Sequence, residues 1–259
     1  MAKSQINQSH LVNTLISIKD FFLVRNPDEA RSLPDEISLL GKKYLKHMGL
    51  IFLPCKPEEL SSEQIIELSN LRSAYFDRVV DKSFVQKIYM FVYKLVSNNI
   101  SKEQQSKGIS LLDFGAGTGS FGHYVKFSGI NGKYPIEYHA VDLNPKYAGT
   151  HTETYKSYKA ISENSELPFH DGSFDVIVAL YVFHYNIPEV HMKSFVEKMN
   201  SEGILLFNLY RPSDKLREEI QSRLRGLGLR WHKIDFESSA SFHGMKHAPT
   251  EFYLCRKIR

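Results

Sequence analysis

The sequence predicts an α/β protein built on a mostly parallel sheet, with an antiparallel strand at its C-terminal end and a helical region at its N-terminus. Three observations carry this. After Lys107, short apolar runs alternate with amphipathic stretches. Residues 174–180 (FDVIVAL) and 203–209 (GILLFNL) are apolar at nearly every position, as strands buried on both faces are. The run 109–114 (ISLLDF) ends in a glycine-rich turn, Gly115-Ala-Gly117-Thr-Gly119, which opens a helical pattern ending near Phe127.

The elements follow in order. Leu11, Leu15, Ile18 and Phe22 recur at helical spacing, and Pro34 suits a first helical turn. The apolar run 50–55 (LIFLPC) reads as a strand, a buried turn or a lid. Helical patterns fill 57–96, with Glu58 and Glu59 suiting an amino-terminal dipole. Within them Phe84, Ile88, Phe91, Val92 and Leu95 form a core stripe, while Tyr89 and Tyr93 fall on another part of the helix, within reach of a pocket. The stretch 97–102 (SNNISK) marks a boundary. It divides the chain into an N-terminal helical cap, 1–104, and an α/β domain, 105–259. In that domain 136–141 is a strand, 188–199 and 212–224 are helices, and 229–236 with 251–256 form an antiparallel pair. Residues 145–155 (PKYAGTHTETY) are poor helix material, so a short or irregular segment is expected there.

Composition narrows the function classes. The chain has 259 residues, is 42% hydrophobic and 24% charged, and so excludes a disordered or fibrous protein. Its longest apolar runs fall far short of the ~18 residues of a membrane helix, and the polar start MAKSQINQSH lacks a signal core. With only Cys55 and Cys255, a reducing cytoplasm is the expected location. Lys plus Arg exceeds Asp plus Glu by 33 − 29 = 4, too little for a dedicated nucleic-acid binder. The aromatic load, 17 Phe and 14 Tyr against one Trp, asks for a role beyond packing.

The glycine turn lets the backbone bend sharply and approach a ligand closely, and the helix beyond it presents free N–H groups. Gly117-x-Gly119-x-x-Gly122 also matches the dinucleotide fingerprint. Asp113 argues against that ligand, because a carboxylate at the strand end repels a pyrophosphate and attracts an ammonium or sulfonium group. Asp113-x-Gly115-x-Gly117-x-Gly119, then Ala-Val-Asp142-Leu143-Asn-Pro, then Glu163-Asn164-Ser-Glu-Leu-Pro-Phe followed by Ser-Phe-Asp175, resemble in order and spacing the motifs of class I S-adenosylmethionine (SAM)-dependent methyltransferases, small-molecule branch. The resemblance covers about residues 105–259. It departs at the turn before the fifth strand, where Ser201 and Glu202 precede the retained Gly203.

The resemblance implies a Rossmann-like sheet and SAM as cofactor. Asp113, Gly115, Ala116, Gly117 and Gly119 would form its cradle. Asp142 with Leu143 would serve the ribose, and Glu163 with Asn164 the adenine. Leu180 and Tyr75 would complete the site, the latter in a Tyr75-Phe76-Asp77-Arg78 stretch resembling one that reaches the methionine end. Arg72 or Arg78 could pair the cofactor's carboxylate. The substrate end would lie at the tip of the fourth strand, where His184 is the candidate base and Tyr181 and Tyr185 are candidate pocket residues. Arg211 is placed to hold an acidic substrate.

The function expected is methyl transfer to an O, N or C atom of a small molecule, with no membrane partner. Two alternatives stay open. A tRNA or rRNA substrate would use the basic stretch 211–233; a regulatory protein would bind SAM without turnover. No metal is expected, since His243-x3-His247 lacks an accompanying carboxylate helix. Cys55 reads as a buried structural thiol. Oligomeric state is not legible in the sequence.

Overall fold

The computed structural model describes residues 45–47, 50–52, 57–74, 82–128, 134–149, 152–210, 212–236, 241–242, 245–246 and 250–258. The chain forms two compact units, Met1–Asp81 and Lys82–Arg259. In the first, strands β1 (Leu45–His47) and β2 (Leu50–Phe52) pair antiparallel, and helix α1 (Ser62–Ala74) follows a short 3-10 turn at Pro57–Glu59. The strand alternative for residues 50–55 therefore holds at 50–52. Cys55 and the helices expected before residue 45 lie outside the described residues.

The second unit begins 23 residues before the 104/105 boundary expected from the turn-rich stretch (104 − 81 = 23). The reason is packing. Helix α2 (Lys82–Asn99) buries Ile88, Val92 and Val96 almost completely against the sheet, so it belongs to the α/β core. Its Phe91 meets Phe252 edge-on at 5.1 Å between ring centroids. A short helix α3 (Lys102–Lys107) follows, closed by a reciprocal capping box between Ser101 and Gln104.

The sheet is built from β3 (Ile109–Phe114), β4 (Ile136–Asp142), β5 (Ser157–Ala160), β6 (Phe174–Ala179), β7 (Met199–Tyr210), β8 (Leu229–Phe236) and β11 (Thr250–Lys257). Two short strands, β9 (Ser241–Phe242) and β10 (Met245–Lys246), pair outside it. The order is β5-β4-β3-β6-β7-β11-β8, which is 3-2-1-4-5-7-6 when the seven are counted along the chain. The first five pair in parallel, and β11 runs antiparallel to both β7 and β8. The predicted terminal pair is therefore present, with β11 inserted between β7 and β8. This is the Rossmann-like methyltransferase sheet.

One face carries Leu111, Tyr138, Val178 and Leu206 under α2 and α4 (Ser120–Phe127). The other carries Leu112, Ile177, Leu205 and Phe207 under α5 (Glu189–Lys198) and α6 (Asp214–Gly226). Burial on both sides explains the continuous apolar runs. Asp175, part of the motif before the fourth strand, is a staple. Its carboxylate accepts from Gln104 Nε2 (2.9 Å), Ser110 N (2.9 Å) and Asn200 Nδ2 (2.8 Å), joining α3, β3 and β7. β7 starts earlier than residue 203, with Met199 paired to Phe174 of β6. On the far side, Arg217 grips the buried Glu251 with two donors, at 3.0 and 2.8 Å, and Tyr253 adds a third to the same carboxylate.

Ile88→Ala is expected to cost ~2–5 kcal/mol of unfolding free energy by urea titration. Met90→Ala on the same helix, where the side chain is 39% exposed, should change stability by less than about 0.5 kcal/mol.

Candidate functional site

Open α/β sheets bind ligands beyond the carboxyl ends of their strands. Here β3 ends at Phe114, registered with Val141 of β4, so Asp113, the glycine turn and Asp142 converge. The turn is fixed from β4: Gly115 N and Ala116 N both donate to Val141 O, at 2.8 and 3.2 Å. Gly117 has φ +56°, a backbone that side chains rarely adopt, and an added Cβ there would meet nothing within 4 Å among the described residues. At Gly117 the turn thus presents backbone with no side chain over it, while at Gly115 an added Cβ would lie 2.5 Å from Val182 Cγ2.

Two buried carboxylates frame it. Asp142 is 9% exposed. Its Oδ2 accepts from Gly117 N at 2.8 Å and its Oδ1 from Asn144 N at 2.8 Å. Burial still raises its pKa above the ordinary range, because the two backbone donors offset the loss of water only in part. Asp113, 2% exposed, is pushed up to about 7, first by burial and then by the Asp142 charge, against a hydrogen bond from Tyr155 Oη at 2.8 Å. Tyr89 of α2 lies over the same acid. Its ring packs on Phe121 and Tyr124 of α4, and burial beside Asp113 raises its pKa. Tyr93, expected with it near a pocket, instead stacks on Tyr134 in the core.

After Asp142 the chain makes a 3-10 turn, Pro145–Tyr147, capped by Asn144, in place of a full helix. This is the irregular segment that its composition implied. Glu163 and Asn164 lie exposed in the turn after β5, whose first residue Ile161 donates to Asp142 O at 3.0 Å. Leu143 packs into the core layer of Phe207, and Leu180 and Ala116 into that of Val178. Beyond β6, Tyr181 is the one non-glycine residue with positive φ, +58°, among the described residues. Such a conformation costs of order 1–3 kcal/mol and persists only when neighbours hold it. The holder is Asn208, whose Oδ1 accepts from Tyr181 N at 2.7 Å. His184 is buried in the same loop, its ring 4.3 Å from that of Tyr185.

Tyr75, Phe76, Asp77, Arg78, Arg211, His243 and His247 lie outside the described residues, as does the Arg72 side chain. Tyr155, Tyr158 and Asn208 were not singled out by motif. Part of the signal was present: Tyr155 closes the segment 145–155, which is poor helix material, and Tyr158 follows three residues on. Among the described residues no cluster of three or more metal-ligating side chains forms. A groove of about 490 Å³ does form, but at the amino ends of the strands, where Ser110, Glu137, Phe174 and Lys198 line it.

The profile of the methyltransferase domain family matches residues 88–247. The chain belongs to this methyltransferase family. It is a class I enzyme and its cofactor is SAM. The site fits that group: bare backbone at Gly117, one buried acid suited to a cation and a second at the end of β4. Solved structures agree in fold. The [4+2]-cyclase SpnF superposes with TM-score 0.57 at 14% identity, over 78% of this chain and 99% of that one. The putative methyltransferase bound to the Haloferax volcanii Trm112 activator gives 0.51 at 13%, over 68% and 93%. The citrinin polyketide synthase CMeT domain gives 0.50 at 15% and 76% coverage, this methyltransferase spanning 57% of that chain. No curated protein matches the sequence significantly. Among the described residues no helix of the methyltransferase is long and apolar enough to cross a membrane.

Because its folded pKa lies above the ordinary carboxylate range, Asp113 favours folding at low pH, and this contribution disappears as pH rises through about 7. Asp113→Asn should therefore gain melting temperature relative to the wild type between pH 5 and pH 8, by several degrees in the ligand-free protein. Parallel profiles for the two proteins would contradict the assignment.

Proposed function

We propose that this methyltransferase acts on a small-molecule acceptor, with residues 181–185 on the acceptor side. When bound, SAM supplies a methyl group already activated by its sulfonium. The chain's own work is then proximity and orientation. Asp113, the glycine turn and Asp142 hold the cofactor, with Glu163 and Asn164 assigned to its adenine. Tyr181, held by Asn208, orients the acceptor, and His184 takes its proton where the nucleophile carries one.

The observation that favours a small acceptor over RNA is the pairing of five cations of the basic segment, Lys215, Arg217, Arg223, Arg225 and Lys233, within the fold. Arg217 is bound to Glu251 and Asp214, Lys215 lies 3.7 Å from Glu219, and Lys233 lies 3.0 Å from Asp235. Arg223 Nη2 donates to Ile187 O and lies 3.4 Å from Glu189. Arg225 sits over the Trp231 ring. Cations engaged in this way have less to gain from phosphates than free ones.

The protein, incubated with methyl-labelled SAM and either a nuclease-treated low-molecular-weight extract or total RNA, should label the small-molecule fraction. Label confined to RNA would overturn the proposal, and no transfer to either would favour a SAM-binding regulator. With an acceptor in hand, His184→Ala should lower kcat by about 10²–10⁴ while S-adenosylhomocysteine affinity stays within about twofold.

A further inference from the structure

We infer that Tyr155 and Tyr158 are positioning residues, a pair of hydroxyls that holds the glycine turn in its cofactor-binding shape. The inference rests on the reading that SAM binds at this turn. Tyr155 lies just before β5 and Tyr158 is the second residue of that strand. Lys156 N, between them, donates to Tyr138 O at 2.8 Å and fixes that segment along β4.

Tyr155 Oη meets three partners at once. It lies 2.8 Å from Asp113 Oδ2 and 3.2 Å from Gly119 O, which share its proton, and it accepts from Gly122 N at 3.2 Å. Tyr158 Oη donates to Gly117 O. With Asp142 accepting from Gly117 N, one stretch of chain, 142–158, therefore holds the middle and the far end of the glycine turn and the first turn of α4. A hydroxyl buried for packing alone needs one partner. Tyr155 has three, two in the cofactor cradle and one in the first turn of α4.

Gly122 supplies the independent observation. It is the third glycine of the dinucleotide-like pattern, a position where the helix packs closely. A Cβ there would lie 2.6 Å from Tyr155 Oη and 2.7 Å from Tyr155 Cζ. The phenol is what excludes a side chain at this position. The dinucleotide-like spacing is thus explained inside the protein, by a tyrosine 33 residues away.

The arrangement also tunes Asp113. That carboxylate is faced by Tyr89 of α2, by Tyr138 and Asp142 of β4 and by Tyr155 and Tyr158 of the clamp. Burial and Asp142 oppose ionisation, and the Tyr155 hydroxyl favours it. Tyr155→Phe keeps the ring and its edge contact with Tyr138 but loses this bond. Asp113 then stays protonated to higher pH, and its attraction for the ligand's ammonium group appears later.

The test is calorimetric titration of the full chain with S-adenosylhomocysteine between pH 6 and 9. Wild-type binding validates the underlying reading, and its absence refutes that reading rather than the clamp. Given wild-type binding, Tyr155→Phe should bind at least tenfold more weakly at pH 7, and its affinity should rise with pH at a higher point than in the wild type. Tyr158→Phe should weaken binding without moving that point. Affinity within twofold of wild type in both variants overturns the proposal. A second comparison uses Gly122→Ala, which should weaken binding alone but cost no more than twofold when added to Tyr155→Ala. Additive losses overturn the proposal as well.

Discussion

The Asp113 carboxylate constrains much of the rest. It lies at the end of a central strand, almost fully out of water, with a second acid on the neighbouring strand. Burying a charge without compensation is costly, so the surroundings must supply donors, a proton or a cation. The ligand-free fold uses the first two: the Tyr155 hydroxyl and a protonation point near neutrality. A cationic ligand replaces the proton. The nearby backbone is engaged as well, with Gly117, Gly119 and Gly122 all bonded to side chains at the end of β4 or in the segment that follows.

Much of the sheet was legible because both-face burial leaves a plain trace. Residues 109–114 and 174–179 are strands almost to the residue, since most positions must be apolar where helices cover both sides. The insertion of β11 between β7 and β8 was not legible: the antiparallel pairing of β8 with β11 follows from pattern, but an edge strand and an inserted one read alike. The boundary at 104 marked a real turn, capped by Ser101, yet α2 before it buries its stripe against the sheet. Local breaks report chain geometry, while compact units report long-range burial.

For the site, the motif residues were legible and their holders were not. Asp113, Gly117 and Asp142 converge as their order implied. Asn208 is read from sequence as part of a buried strand, and only the structure relates its amide to the left-handed backbone at Tyr181. Tyr155 is 42 residues from the acid it contacts. Side-chain partners across such distances leave no periodic signal. The aromatic surplus divides accordingly: Phe91, Phe207 and Phe252 build core, while Tyr89, Tyr155 and Tyr158 face the cofactor cradle. The fold itself decides less. A [4+2]-cyclase shares it, so the reaction must be argued from the side chains around the cradle.

The most direct test is to follow the Asp113 carboxyl by carbon NMR through a pH titration, without and with saturating S-adenosylhomocysteine. The account predicts a midpoint near 7 in the free protein, falling into the ordinary carboxylate range when the ligand's ammonium group is present. A midpoint that stays in place or rises on binding would contradict it.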